Sequence, residues 1–87
     1  MVKIWAKLIK EQRIIKSEIV EIDDYYHSSK LFEYVVLVCY QLDIPTPAII
    51  KSHKFNFTNF NLTKFRPSDF LEYVDFDMLT IEHIVDK

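Results

Sequence analysis

Apolar and polar side chains alternate along the first segment of the chain, residues 2–10. One face carries Val2, Ile4, Ala6 and Leu8, and the other carries Lys3, Trp5, Lys7 and Ile9. This period of two is typical of a half-buried β-strand. A short polar stretch, 11–13, separates it from a second run rich in β-branched residues, 14–23. The pattern therefore predicts a β-hairpin, although no Asn-Gly or Asp-Gly pair marks its turn.

The spacing of apolar residues changes to that of a helix after the hairpin. Ser28 or Ser29 is expected to cap this helix, which begins near Lys30. One helical face carries Leu31, Val35, Val38 and Leu42. Apolar residues also cover most of the other sides, which predicts a helix buried on more than one side, by the rest of the chain or by a second subunit. The run 34–40 also favours a strand, and Pro45 ends whichever element forms.

Segment 48–61 leaves three structures open. As a strand, Phe55 and Phe57 share a face, but Phe60 falls out of phase. As a helix, Phe57, Phe60 and Lys64 align, yet Asn, Thr and Phe are mediocre helix formers. A loop or short irregular turns would reconcile these patterns, with most of the phenylalanines filling the core on the far side of the main helix.

The C-terminal part predicts one helical turn, which begins at Pro67 or Ser68. A strand over Met78–Val85 is expected to lie beside the hairpin. One of its faces carries Leu79, Ile81 and Val85. Together these elements predict a single α+β domain over residues 1–87. Its antiparallel sheet consists of the N-terminal hairpin and the C-terminal strand, and packs against one main helix.

The absence of glycine among the 87 residues is the most informative feature of the composition. It excludes the P-loop, the GxGxxG turn of dinucleotide-binding folds and the glycine elbow around a catalytic serine. Backbone positions with positive φ must then use Asn, Asp or His. We therefore predict no cofactor, and we lean away from an enzyme.

Residues suited to chemistry are few and scattered. Cys39 lies in an apolar segment without a basic neighbour, which favours an inert core thiol over a nucleophile. The three histidines lack metal-ligand spacing, so we predict no metal site, with His83 beside Asp75 or Asp77 as the alternative. The two aspartates flank Phe76 and would share one face of an extended chain. Such a pair suits acid–base chemistry, but a solvated loop is the more usual structure.

Several segments together resemble a protein family. They are Val2-Lys3-Ile4-Trp5-Ala6-Lys7, Leu42-Asp43-Ile44-Pro45-Thr46-Pro47, Phe65-x-Pro67-x-Asp69-Phe70 and Val74-Asp75-Phe76-Asp77-x-Leu79-x-Ile81. Across most of its length the chain is similar to a family of short uncharacterised proteins from low-GC Gram-positive bacteria. The resemblance implies a cytoplasmic bacterial protein, and it assigns no catalytic or binding residue because that family has no established activity. The chain departs from the family at Ala48-Ile49-Ile50, where the family has a tryptophan after the prolines.

Charge is distributed in blocks, although the net charge is only −2. Segment 51–66 carries four phenylalanines and no acidic residue. Its cations are Lys51, Lys54, Lys64 and Arg66. Pairing between basic and acidic segments would account for the blocks. The alternative is a basic patch that faces a partner.

These features favour two functions. The first is a non-enzymatic protein-interaction module, including a homodimer, that binds through the hairpin face around Trp5 or the helix face around Leu37 and Tyr40. The second is a module that binds single-stranded nucleic acid through the basic and aromatic segment 51–66. The candidate binding residues are Trp5, Lys3, Lys7, Lys51, His53, Lys54, Phe57, Lys64 and Arg66.

The N-terminus lacks the pattern of a signal peptide, because lysines at positions 3, 7 and 10 interrupt its apolar residues. The longest apolar run, 34–40, is far shorter than the ~20 residues that span a bilayer. We therefore expect a cytoplasmic protein with no membrane partner.

Overall fold

The computed structural model of the protein describes residues 1–85. The strands are β1 (Val2–Lys10), β2 (Arg13–Ile22), β3 (Leu62–Phe65) and β4 (Met78–His83), and the helices are α1 (Leu31–Leu42) and α2 (Lys51–Phe60). The strands form one antiparallel sheet in the order β2-β1-β4-β3. The predicted α+β class, the hairpin and the C-terminal strand beside it are confirmed. The fourth strand, β3, has no counterpart in the sequence-based prediction.

Strand β1 lies inside the sheet and supplies the base of the core. It pairs with β2 on one side and with β4 on the other, so that Ala6 lies between Glu18 and Ile81. All four residues of its predicted apolar face are buried: Val2, Ile4, Ala6 and Leu8. The core also contains Val35, Val38, Phe57, Phe65, Leu79 and Ile81. The period-two pattern of the first segment is therefore confirmed residue by residue.

The turn of the hairpin consists of two residues, Glu11 and Gln12, with φ of 52° and 66°. Each non-glycine residue in this left-handed region costs roughly 1–2 kcal/mol. Asp77 offsets part of that cost, because its Oδ2 accepts a hydrogen bond from the Glu11 N–H at 2.8 Å and its own N–H donates to the Ile9 carbonyl at 2.8 Å. Asp77, one of the two aspartates considered for acid–base chemistry, therefore stabilises the hairpin turn.

Asp75 forms a second contact between this loop and the hairpin. Its Oδ1 lies 2.8 Å from Lys10 Nζ, and this hydrogen bond raises the pKa of the Lys10 ammonium. His83 lies at the other end of β4, opposite Ile4, where its ring stacks on Tyr26 with centroids 3.6 Å apart. The alternative of a metal site that joins His83 to Asp75 or Asp77 is therefore wrong, because β4 separates the groups.

Both helices end without glycine. Asp43 follows α1 and Asn61 follows α2, each with φ of 57°. Their short polar side chains tolerate this conformation better than most residues. The expectation that Asn and Asp replace glycine is confirmed at the helix ends, but it is wrong at the hairpin turn, where Glu11 and Gln12 take the role.

The segment whose structure the sequence left open contains the ten-residue helix α2, so the prediction of a loop or irregular turns is wrong. His53 and Phe57 lie one turn apart and are both buried. The Ile50 N–H donates to His53 Nδ1 at 3.1 Å, which satisfies one of the free N–H groups at the helix start. The Phe57 ring packs 6.2 Å from that of Tyr34 on α1. Burial of this face outweighs the weak helix propensity of the segment.

Two further expectations need correction, and a third is confirmed. Ser28 and Ser29 do not cap α1; they form a 3-10 turn, Ser28–Lys30, that leads into the helix without a side-chain cap. Val85 is exposed and lies beyond β4, which ends at His83. The helical turn expected at Pro67 is present as a 3-10 turn, Pro67–Asp69. Within residues 1–85, neither helix has the length and apolar character needed to cross a membrane.

Candidate interaction surfaces

The face of the sheet opposite the buried residues of β1 presents Trp5 and its neighbours. Trp5 Nε1 donates a hydrogen bond to Ser17 Oγ on β2 at 2.8 Å. Lys7 Nζ lies 4.2 Å from the centre of the indole ring, within the range of a cation–π contact. Lys3 lies on the same face, directly opposite Glu21 on β2. The predicted grouping of Trp5, Lys3 and Lys7 on one face is therefore present, with the indole held between β1 and β2.

The edge strand β2 carries the most exposed apolar residues of the sheet. Among the strands of residues 1–85 it pairs with β1 only, and eight of its ten residues are exposed. Ile14, Ile15 and Ile19 are 58%, 53% and 55% exposed. A long edge strand of this kind presents free backbone N–H and C=O groups beside apolar side chains, which is the surface that an added strand binds. The period of the sequence does not distinguish these isoleucines as exposed, and the one local signal is the adjacent pair Ile14-Ile15, which breaks the alternation of the strand.

The outer face of α1 is a second apolar surface. The face that packs on the sheet is buried as predicted, but the far face exposes Phe32, Val36, Leu37 and Tyr40. The expectation that the phenylalanines of segment 51–66 cover this far face is wrong. Phe57 and Phe65 are buried in the core. Phe55 and Phe60 are exposed and contact each other edge to face, with ring centroids 6.2 Å apart.

A groove lies between α2 and the edge strand β3. It has a volume of about 610 Å³. Its lining includes Ser52, Asn56, Phe60, Thr63, Lys64 and Arg66. Within the described residues, neither Lys64 nor Arg66 forms an ion pair. Thr63 is buried, and its hydroxyl has no hydrogen-bond partner in the same part of the chain. The groove therefore combines polar and apolar side chains, two cations and the Asp69 carboxylate, and the exposed ring of Phe60 flanks it.

His53 borders this groove but is engaged inside the protein. Because its Nδ1 accepts the Ile50 N–H, the ring proton lies on Nε2, which is 3.4 Å from Asp69 Oδ2. The same carboxylate oxygen accepts a hydrogen bond from the Arg66 N–H at 2.8 Å. His53 and Asp69 thus join the start of α2 to the turn after β3. Phe57 is fully buried, so its side chain is not accessible to a partner.

The remaining candidate cations lie apart from one another. Lys51 and Lys54 are exposed on α2, and Lys54 lines a second, smaller cavity with Phe32. Lys64 lines the groove from the edge strand β3 and also lies on the same side of the sheet as Lys7, because both residues flank Thr80 on β4. The nine candidate binding residues therefore do not form one site: they divide between the open sheet face, the groove, the exposed side of α2 and the core.

Cys39 is a buried residue of the core. Desolvation raises the pKa of its thiol to about 11, although a contact with Thr46 acts in the opposite direction. At neutral pH the thiol is therefore protonated and a poor nucleophile. In the described part of the chain, no group of three or more His, Cys, Asp or Glu side chains is close enough to hold a metal ion.

Comparisons with protein-family models, with curated proteins and with solved structures found no match to this chain. The resemblance to short Gram-positive proteins therefore stays a prediction.

Proposed function

We propose that this chain is a non-enzymatic protein-interaction module that binds protein through the free edge and outer face of β2, with self-association as its simplest case. The observation that supports this function is the exposure of Ile14, Ile15 and Ile19 along a ten-residue strand that has only one paired side.

Backbone hydrogen bonds and the burial of apolar side chains both favour binding at this strand. An added strand would satisfy the backbone groups on the free side of β2, as in other complexes formed by strand addition. It would also cover isoleucine side chains, each worth roughly 1.5–3 kcal/mol when fully buried. Trp5 lies next to this surface, opposite Ile19, and its indole is already fixed by Ser17. A fixed aromatic ring loses little conformational entropy on binding.

Sedimentation equilibrium tests the proposal and separates the two apolar surfaces. At ~100 µM we expect the wild-type chain to exceed its monomer mass of 10.5 kDa. Ile15→Lys together with Ile19→Lys should return it to the monomer, because the added charges cannot be desolvated at an interface. The matched control, Leu37→Lys with Tyr40→Lys on α1, should leave the association unchanged. A wild-type chain that stays monomeric throughout would contradict the proposed self-association, and an effect of the α1 control alone would move the interface to the helix.

A second candidate function, binding of single-stranded nucleic acid, is favoured by the groove between α2 and β3. Lys64 and Arg66 provide charge for phosphate, and Phe60 provides an exposed ring for base stacking. The surface is small, because Phe57 and Phe65 are buried and Lys51 is not among the described residues that line the groove.

Titration of a labelled single-stranded oligonucleotide at ~50 mM salt tests this candidate, since phosphate contacts are strongest at low salt. Binding that weakens in the double variant Lys64→Glu and Arg66→Glu, but not in the matched variant Lys3→Glu and Lys7→Glu on the open face, would support the groove. The absence of binding at this salt concentration would exclude it.

A further inference from the structure

The sequence of β2 is complementary to itself when it is read in the two directions from Ser17. The segment is Arg13-Ile14-Ile15-Lys16-Ser17-Glu18-Ile19-Val20-Glu21. Positions at equal distances from Ser17 carry opposite charges or apolar side chains. Lys16 matches Glu18, Ile15 matches Ile19, and the outer positions match Arg13 with Glu21. Two copies of this strand in antiparallel orientation, related by a two-fold axis through Ser17, would therefore pair unlike charges and apolar groups.

The structure places the charged pair nearest Ser17 on one face of the sheet. Lys16 and Glu18 lie opposite the buried residues Leu8 and Ala6, so both point to the side that carries the helices. Ser17 and Ile19 lie opposite Lys7 and Trp5, on the open face. Lys16 and Glu18 thus share a face, which direct cross-strand contact requires. Arg13 and Glu21 lie opposite Lys10 and Lys3 and therefore on different faces, because the register shifts between them.

We propose that a second copy of this chain pairs with β2 in this register, and forms a continuous antiparallel sheet across a two-fold axis at Ser17. This inference rests on the proposed function and names its partner and surface. The interface is isologous, since the same strand serves both copies. Lys16 of one copy then lies opposite Glu18 of the second copy, twice by symmetry.

The local structure of β2 limits the extent of regular pairing. The register with β1 shifts between Leu8 and Ile9, which leaves Ile15 without a partner on β1. A bulge of this kind increases the local twist of a strand. The regular core of the interface is therefore short, running from Ile15 to Ile19 in each copy. Lys16 Nζ already donates to the Leu42 carbonyl at 3.0 Å, and its other two donors remain available for Glu18 of the second copy.

Charge exchange at Lys16 and Glu18 tests the register. Lys16→Glu alone or Glu18→Lys alone places like charges opposite each other at two symmetric positions. Each should weaken self-association at least about tenfold, because like charges directly opposite destabilise paired strands. The double variant Lys16→Glu with Glu18→Lys restores unlike pairs and should recover the wild-type association. A mixture of the two single variants should form a heterodimer that neither forms alone.

Cross-linking provides a second measurement that does not depend on the charged residues. In the proposed register Ser17 of each copy lies directly opposite its equivalent, within the Cα separation of about 4.4–6.8 Å that a disulfide spans. Ser17→Cys should therefore form a disulfide-linked dimer under mild oxidation. The matched control Glu18→Cys should not, because its equivalents are diagonal, about 7–8 Å apart. Cys39 is buried and does not interfere.

The outcomes separate the register from the function. If the wild-type chain associates but neither charge exchange nor the Ser17→Cys cross-link behaves as expected, the register is overturned while self-association stands. If the wild-type chain is monomeric at all concentrations and Ser17→Cys forms no linked dimer, both proposals fail. Rescue by the double charge exchange would exclude a loss of folding as the reason for the effect of the single variants.

Discussion

The two strands of the N-terminal hairpin are similarly rich in apolar residues, but they lie in opposite environments. Strand β1 pairs on both sides, and every second residue from Val2 to Leu8 is buried. Strand β2 pairs on one side, and among its ten residues only Val20 is buried. The same β-branched side chains therefore stabilise the fold in β1 and form surface in β2. The difference shows that most apolar residues of β2 lie outside the core of the single chain, and this exposure is the observation behind the proposed interaction.

The largest difference in stability between the two strands is expected when one isoleucine is removed from each. Ile4→Ala should lower the free energy of unfolding by about 2–5 kcal/mol, because Ile4 is fully buried and its removal leaves a cavity. Ile19→Ala should change it by only about 0.5 kcal/mol. Chemical denaturation of both variants at low protein concentration would check this. Equal losses would contradict the assignment of β2 to the surface.

A smaller effect is expected at the turn that joins the two strands. Asp77→Ala removes the acceptor of the Glu11 N–H and should cost about 1 kcal/mol, the usual contribution of such a hydrogen bond. Asp75→Ala is the control: it removes only an exposed ion pair with Lys10 and should cost less. The unfolding midpoints of the two variants in urea give the comparison. A larger loss in the Asp75 variant would show that the ion pair, and not the bond to the turn, fixes the hairpin.

Near neutral pH, ionisation of the buried thiol Cys39 has almost no effect on stability, and its effect appears only in alkali. Because burial raises the pKa of Cys39 to about 11, above the ordinary value of 9.0, its contribution to stability is complete below pH 9 and is lost as the pH rises toward 11. At pH 8 the thiol should react with iodoacetamide at least about 100-fold more slowly than an unfolded control, from its thiolate fraction alone.

A thiol introduced on β2 makes this a comparison between the buried core, where Cys39 lies on α1, and the exposed edge strand. Ser17→Cys, measured under reducing conditions and at low concentration, should react at a rate near that of the unfolded control. Rapid modification of Cys39 in the folded wild-type chain would show that the core is more open than the structure indicates.

Regular periodicity made much of the fold predictable. The strict alternation in β1 and the spacing of Leu31, Val35, Val38 and Leu42 each follow from one buried face. Segment 51–60 was not predictable in this way, because its helix depends on the packing of His53 and Phe57 against distant residues. Strand β3 has only four residues, which is too short for a period to be recognised.

The candidate surface was predictable only in part. The period of a strand alone predicts that one face carries Trp5, Lys3 and Lys7. The exposure of β2 depends on the strand order of the sheet, and a local pattern does not contain the strand order. For the same reason, the division of the cations between the groove and the open face was not accessible from the charge blocks.

Hydrogen exchange of the hairpin amides, measured from ~10 µM to ~1 mM protein, tests most directly the claim that β2 is an interaction strand. The amides of β1 are bonded within the sheet, and their protection should not depend on protein concentration. The amides of Ile15 to Ile19 that face the free edge should exchange rapidly at the lowest concentration and become protected at the highest. If those amides exchanged at the same rapid rate throughout the range, no strand would be adding to β2, and the account of this surface would be contradicted.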